Sequence, residues 1–75
     1  MQNEEIIYIQ DISRIGIQLG NIRRRKGMTI SEVSIRADVT PTFICKVEHG
    51  KCIARIGTLL DWCKALGYKE VRFTV

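Results

Sequence analysis

A single histidine, His49, stands in this chain of 75 residues, and no acid or nucleophile is placed with it in a catalytic spacing, so an enzyme is not expected. Cysteines number three, Cys45, Cys52 and Cys63, an odd count at irregular intervals. That excludes a paired disulfide framework and fits a reducing cytoplasm. With His49 they form C-x3-H-x2-C-x10-C, which matches no common structural zinc site, so no metal and no other cofactor is expected. No apolar run approaches the ~18 residues of a membrane span. The opening Met1-Gln2-Asn3-Glu4-Glu5 is acidic where a signal peptide is basic, so neither export nor a membrane partner is expected. There is one proline, no internal repeat and no Pro/Gly linker, which predicts a single domain over 1–75. A chain this short buries only about 60% of the surface its unfolded form exposes, leaving no room for a large enzyme cleft.

What is present is ordinary globular composition, 45% hydrophobic and 27% charged, with a net charge of +4. The position of the charge is more telling than its size. Residues 1–20 carry Arg14 against Glu4, Glu5 and Asp11, a balance of −2. Residues 21–51 carry seven cations (Arg23, Arg24, Arg25, Lys26, Arg36, Lys46, Lys51) against three acids, a balance of +4. Residues 52–75 add +2. A basic middle suits a polyanionic partner, although a solvated helix face has the same composition.

That middle reads as short helices with marked ends. Ile12, Ile15, Leu19 and Ile22 recur at helical spacing from about Ile12 to Lys26, with Asp11 as N-cap and Gly27 as stop. Thr29-Ile30-Ser31-Glu32 is a capping box, flanked by Met28 and Val33 in hydrophobic-staple positions. The helix it opens is interrupted at Asp38-Val39-Thr40-Pro41. Thr40 then caps a third helix, with Pro41 in the first turn, where its missing N–H costs nothing. It runs to about His49, and Gly50 stops it. Ile44, Val47 and Glu48 share one side of this helix, and Pro41, Thr42, Cys45, Lys46 and His49 share another. A fourth helix spans about Ile56 to Leu66, with Ile56, Leu59, Leu60, Cys63 and Leu66 forming its apolar face and no good cap at Arg55.

The two ends have a period of two. Glu70-Val71-Arg72-Phe73-Thr74-Val75 alternates as a half-buried strand, and Ile6-Ile7-Tyr8-Ile9 is a second short β-branched run. A lone strand is not stable, so these segments pair either with each other or with a second copy of the chain. The expected fold is mainly α: a four-helix core over about 12–67 and a terminal strand over about 69–75 that pairs across a dimer.

Two short helices joined at Asp38-Val39-Thr40 make a helix-turn-helix, whose second helix can enter the major groove of DNA. Thr42 and Lys46 can bond base edges, and Lys46 can reach guanine O6 and N7. Free amides at the helix starts favour phosphate near Thr29 and Thr40. Arg24, Arg25 and His49 are further candidates for phosphate contact.

The stretches Ile22-Arg23-Arg24-Arg25-Lys26-Gly27-Met28-Thr29, Glu32-Val33-Ser34, Ala37-Asp38-Val39-Thr40 and Ile44-Cys45-Lys46-Val47-Glu48-His49-Gly50-Lys51 together resemble the phage-repressor and Cro-like (XRE) helix-turn-helix family over about residues 13–67. Members of that family bind operator DNA as dimers, usually as repressors. The resemblance implies base contacts at Pro41, Thr42, Cys45 and Lys46, with Thr40 and Lys51 near phosphates. It also implies a buried Arg23–Glu48 ion pair that fixes the first helix against the third. The ending Leu66 to Val75 resembles one branch, the HipB-like antitoxins, in which a C-terminal strand pairs across the dimer. That likeness implies dimerisation through Val71, Phe73 and Val75, with a toxin protein as a second partner.

Some positions depart from the pattern. Ile30 stands where the family has a phosphate-binding Gln, and Asp38 replaces the usual turn Gly in a conformation that Asp tolerates. Pro41 has no side-chain hydrogen bond to give and Cys45 is a poor reader of bases, so the polar reading surface is thin and backbone and basic contacts carry much of the affinity. Trp62 and Tyr68 read as core or dimer packing, and Phe43 as packing or a contact to a thymine methyl. The reading is therefore a sequence-specific double-stranded DNA-binding regulator, a repressor or autoregulator of bacterial or phage origin. The alternatives are an antitoxin, a non-specific DNA binder and, most distantly, a thiol sensor acting through Cys45.

Overall fold

The computed structural model describes residues 6–73. In chain order it has strand β1 (Ile6–Ile9), a 3-10 turn (Ile12–Arg14), helices α1 (Ile15–Arg25), α2 (Ile30–Ala37), α3 (Pro41–Glu48) and α4 (Ile56–Ala65), and strand β2 (Glu70–Phe73). The fold is thus mainly helical, with a helix-turn-helix at α2–α3.

The local signals explain most of the helix boundaries. The Asp11 carboxylate accepts bonds from the Ser13 amide (3.0 Å) and the Ser13 hydroxyl (2.6 Å), and these hold its pKa below the ordinary value. This tight cap starts a 3-10 turn, and α-helix begins only at Ile15. Ile12 is left 52% exposed, so the buried stripe of the first helix is Ile15, Leu19 and Ile22 without it. At the other end Gly27 takes φ +72°, and the Gly27 and Met28 amides bond back to the Arg24 and Arg23 carbonyls, both at 3.0 Å. That is a Schellman stop, which needs the left-handed residue glycine supplies.

The capping box closes as the sequence predicts. Thr29 Oγ1 accepts from the Glu32 amide at 3.0 Å, and Glu32 Oε1 accepts from the Thr29 amide at 2.8 Å. These bonds hold the Glu32 carboxyl below its usual pKa. The turn between α2 and α3 is built on Asp38, left-handed at φ 58°. The Val39 amide bonds to the Ser34 carbonyl (3.2 Å), and Ser34 Oγ donates to the Val39 carbonyl (2.5 Å). Thr40 Oγ1 then accepts from the Phe43 amide at 3.1 Å, starting α3 with Pro41 in its first turn.

The core is formed by Ile15, Leu19, Ile22, Val33, Ala37, Ile44, Val47, Leu59, Trp62, Cys63 and Leu66, together with Ile7, Ile9 and Tyr68. On α4 the buried arc is Leu59, Trp62, Cys63 and Leu66, whereas Ile56 is 55% and Leu60 37% exposed. The stripe expected to include Ile56 and Leu60 is therefore rotated toward Trp62, whose indole is fully buried. α4 packs mainly against α2, and the Arg36 guanidinium reaches the Ala65 carbonyl at 3.4 Å.

Of the two partners open to the terminal strands, the chain uses its own. β1 and β2 form a parallel two-stranded sheet in the register Ile6–Glu70, Ile7–Val71, Tyr8–Arg72, Ile9–Phe73. One edge of the C-terminal strand is thus taken by β1 of the same chain, the first of the two alternatives left open by the sequence. Ile7 and Ile9 go into the core, and Gln18 Nε2 donates to the Tyr8 carbonyl at 2.9 Å, tying β1 to α1. Of the three residues expected at a dimer contact, Val71 is half-buried, Phe73 is 47% exposed, and Val75 lies outside the described residues.

Candidate nucleic-acid interface

The position of α3 is set by how closely α1 approaches it. Gly16 and Gly20 lie one turn apart on the side of α1 that meets α3. A Cβ on Gly16 would come within 2.1 Å of the Val47 carbonyl oxygen, and one on Gly20 within 3.0 Å of Glu48 Cγ. At Gly16 only glycine lets the two backbones meet so closely, whereas Gly20 makes room for the Glu48 side chain. Reasoning from the sequence missed both residues. Their spacing of four on one helix face was the signal, because glycine in a helix interior disfavours the helix unless something needs the space.

Above this contact lies the Arg23–Glu48 pair. Arg23 Nε and Nη2 donate to Glu48 Oε2 (2.7 Å) and Oε1 (3.0 Å), and Nη1 donates to the Met28 carbonyl at 2.8 Å. Both side chains are nearly enclosed, at 10% and 2% exposed. The hydrogen bonds it donates to Glu48 raise the Arg23 pKa above its ordinary value, keeping the guanidinium charged. A bidentate pair of this kind fixes orientation, here the rotation of α3 about its own axis.

With Ile44, Val47 and Glu48 buried, the opposite side of α3 is presented to solvent: Pro41, Thr42, Cys45, Lys46 and His49 are all exposed. Cys45, Lys46 and His49 share a shallow depression of about 220 Å³ with Lys51. His49 Nδ1 is 2.8 Å from the Cys45 carbonyl, which only accepts, so Nδ1 carries the proton and Nε2 is left for an outside partner. The Thr29 and Thr40 hydroxyls each accept one backbone bond as caps and keep their own proton to donate.

The two candidate arginines on α1 are placed differently from α3. Arg24 turns toward it: Nη2 donates to Asn21 Oδ1 at 2.7 Å, and Nη1 lies 3.6 Å from Glu48 Oε1, with the side chain 55% exposed. Arg25 lines a cleft with Ile6, Tyr8, Gln18, Asn21 and Tyr68 beside β1. Lys26 sits over the Tyr68 ring at 5.0 Å, a packing role at the end of α1. Phe43 is half-buried against the core beside Val39 and Ile53, and Ile30 is half-buried there too.

The three thiols differ in environment. Cys45 is exposed, Cys52 half-buried and Cys63 buried, and burial pushes the Cys63 pKa up to about 11. A small alkylating reagent at neutral pH is therefore expected to label Cys45 first and Cys63 only on unfolding, as read by mass spectrometry of digested protein. Rapid labelling of Cys63 in the folded chain would contradict this packing of α4. Among the described residues no group of three or more His, Cys, Asp or Glu could hold a metal ion, and no helix is long and apolar enough to cross a membrane.

No known protein family and no curated protein matches the chain. Two crystal structures are similar to it in fold, both of the restriction-modification controller protein C.Esp1396I. One is the tetramer in complex with its natural 35 base-pair operator: 24% identity, TM-score 0.69, covering 76% of this chain and 75% of that one. The other is a single-residue mutant of the same controller: 24% identity, TM-score 0.70, covering 80% and 78%.

Proposed function

We propose that this protein is a sequence-specific double-stranded DNA-binding regulator, acting as a dimer in the cytoplasm as a repressor or autoregulator, with α3 as its reading helix. The observation that carries the reading is the division of α3: one side locked to α1 through Gly16, Gly20 and the Arg23–Glu48 pair, the other side exposed and presenting Thr42 and Lys46. A helix held this rigidly and left bare on one side is what groove entry requires. The operator-bound C.Esp1396I structure, similar in fold, supports it.

In this reading Thr42 and Lys46 meet base edges, while Pro41 and Cys45 make apolar contact in the groove. Thr29, Thr40, His49 and Lys51 meet phosphates, joined at the end of α1 by Arg25 and by Arg24 once it swings from Asn21.

Lys46→Ala is expected to weaken binding to the preferred site by about 1–3 kcal/mol and to random duplex by much less. Titrating labelled duplexes at one salt concentration checks this. Equal losses on both would make Lys46 a phosphate contact.

A further inference from the structure

His49, the chain's single histidine, stands exposed at the end of α3. Gly50, left-handed at φ +74°, turns the chain there, and the Lys51 amide bonds back to the Lys46 carbonyl at 2.8 Å. That turn brings Lys51 into one shallow depression with Cys45, Lys46 and His49. The charged groups of the helices packed on α3 are turned elsewhere. On α1, Arg23 and Arg24 lie against Glu48, and Arg25 lines the cleft beside β1. On α2, Glu32 is closed into the capping box and Arg36 reaches the Ala65 carbonyl.

The bond the ring already makes limits what it can offer an anion. Nδ1 lies 2.8 Å from the Cys45 carbonyl oxygen, which has no proton to give, and 3.7 Å from Cys45 Sγ. The shorter contact needs Nδ1–H, so the neutral ring has a bare lone pair at Nε2. A phosphate oxygen also only accepts. Against neutral His49 it meets lone pair against lone pair. Moving the proton to Nε2 would set the same clash between Nδ1 and the Cys45 carbonyl. Only the doubly protonated ring bonds that carbonyl and a phosphate at once.

We infer that DNA binding at this depression takes up one proton per copy of the chain, on His49, so that affinity for DNA rises as the pH falls. The inference rests on the DNA-binding reading and adds a regulation to the same site. Its sign follows from linkage. The complex holds the proton, whereas a free imidazole holds it only in part between about pH 5 and 8, so acid favours the complex. The gain levels off once the free ring is itself charged.

The test titrates the full chain into a short labelled duplex of mixed sequence, because a phosphate contact carries no sequence information. Salt is fixed, and the pH runs between about 7.5 and 5.5, below the range of thiols and above that of carboxylates. The parent is expected to bind about five- to tenfold more tightly at the lower pH. His49→Gln is expected to lose that dependence and stay near the weak limit. His49→Lys, a permanent cation, is expected to lose it and stay near the tight limit. In salt titrations the parent's slope is expected to steepen by about one at the lower pH. Without DNA, the ring nitrogen chemical shifts of the neutral form are expected to show the proton on Nδ1.

Parent affinity that does not change with pH, a dependence that survives in His49→Gln, or a neutral ring protonated on Nε2 would each overturn the inference while duplex binding itself stands. No binding of the parent to any duplex at either pH would instead fail the DNA-binding reading, and this inference with it.

Discussion

Gly16→Val is expected to destabilise the fold by about 3 kcal/mol, lowering the melting temperature by about 12 °C or more, and to abolish specific DNA binding. The Val47 carbonyl oxygen, 2.1 Å from where the new Cβ must go, is backbone and cannot swing away. Accommodation means moving α3 bodily from α1, the displacement that the reading helix can least tolerate. Gly20→Ala should be far milder. Its obstacle is the Glu48 side chain, Cγ at 3.0 Å, rather than backbone, so a shift of a few tenths of an ångström suffices, and alanine regains about 1 kcal/mol of helix propensity. Thermal denaturation of the two variants side by side reads the difference. Equal stabilities would mean that the helices do not meet at Gly16.

Glu48→Ala is expected to cost about 3–5 kcal/mol, a large part of the 5–15 kcal/mol that holds a typical domain together. It removes both carboxylate bonds from Arg23 and leaves a nearly enclosed guanidinium with the Met28 carbonyl as its remaining strong acceptor. Replacing both partners, Arg23→Met with Glu48→Leu, should recover most of that loss, because the penalty lies in the unpaired charge. Denaturant melts of the two single variants and the double variant give the coupling. If the losses simply add, the pair is not acting as a unit.

The parts of this fold legible in the sequence are those whose cause is local. The capping box at Thr29–Glu32, the Thr40-Pro41 start of α3, the left-handed Asp38 and the Gly27 stop each depend on atoms within a few residues, and each is found where the residues imply. The division of α3 into a buried and an exposed side was legible for the same reason. It needs only the helical period and the difference between Ile44, Val47 and Lys46.

What escaped depends on residues far apart in the chain. Ile12 and Ile56 fit a helical stripe, but the core closes over Ile15 and Trp62 instead, because which arc is buried is decided by the neighbour a helix meets. The parallel pairing of β1 with β2 joins segments more than sixty residues apart, and alternation within each strand cannot choose between a partner in the chain and one outside it. Arg24 and Arg25 are adjacent in sequence, yet Arg24 turns to Asn21 and Glu48 while Arg25 lines the cleft beside β1, a difference that a run of basic residues conceals. Gly16 and Gly20 were present in the sequence as a spacing, but their meaning required knowing that α3 crosses there.

The central claim is that α3 reads a DNA sequence, and selection of bound sites from random double-stranded DNA at near-physiological salt tests it most directly. The account predicts an enriched inverted repeat whose half-site centres lie about one helical turn apart, and loss of that enrichment with Lys46→Ala. Binding that falls steeply with salt and enriches no sequence would contradict it, leaving a protein that holds the phosphate backbone alone.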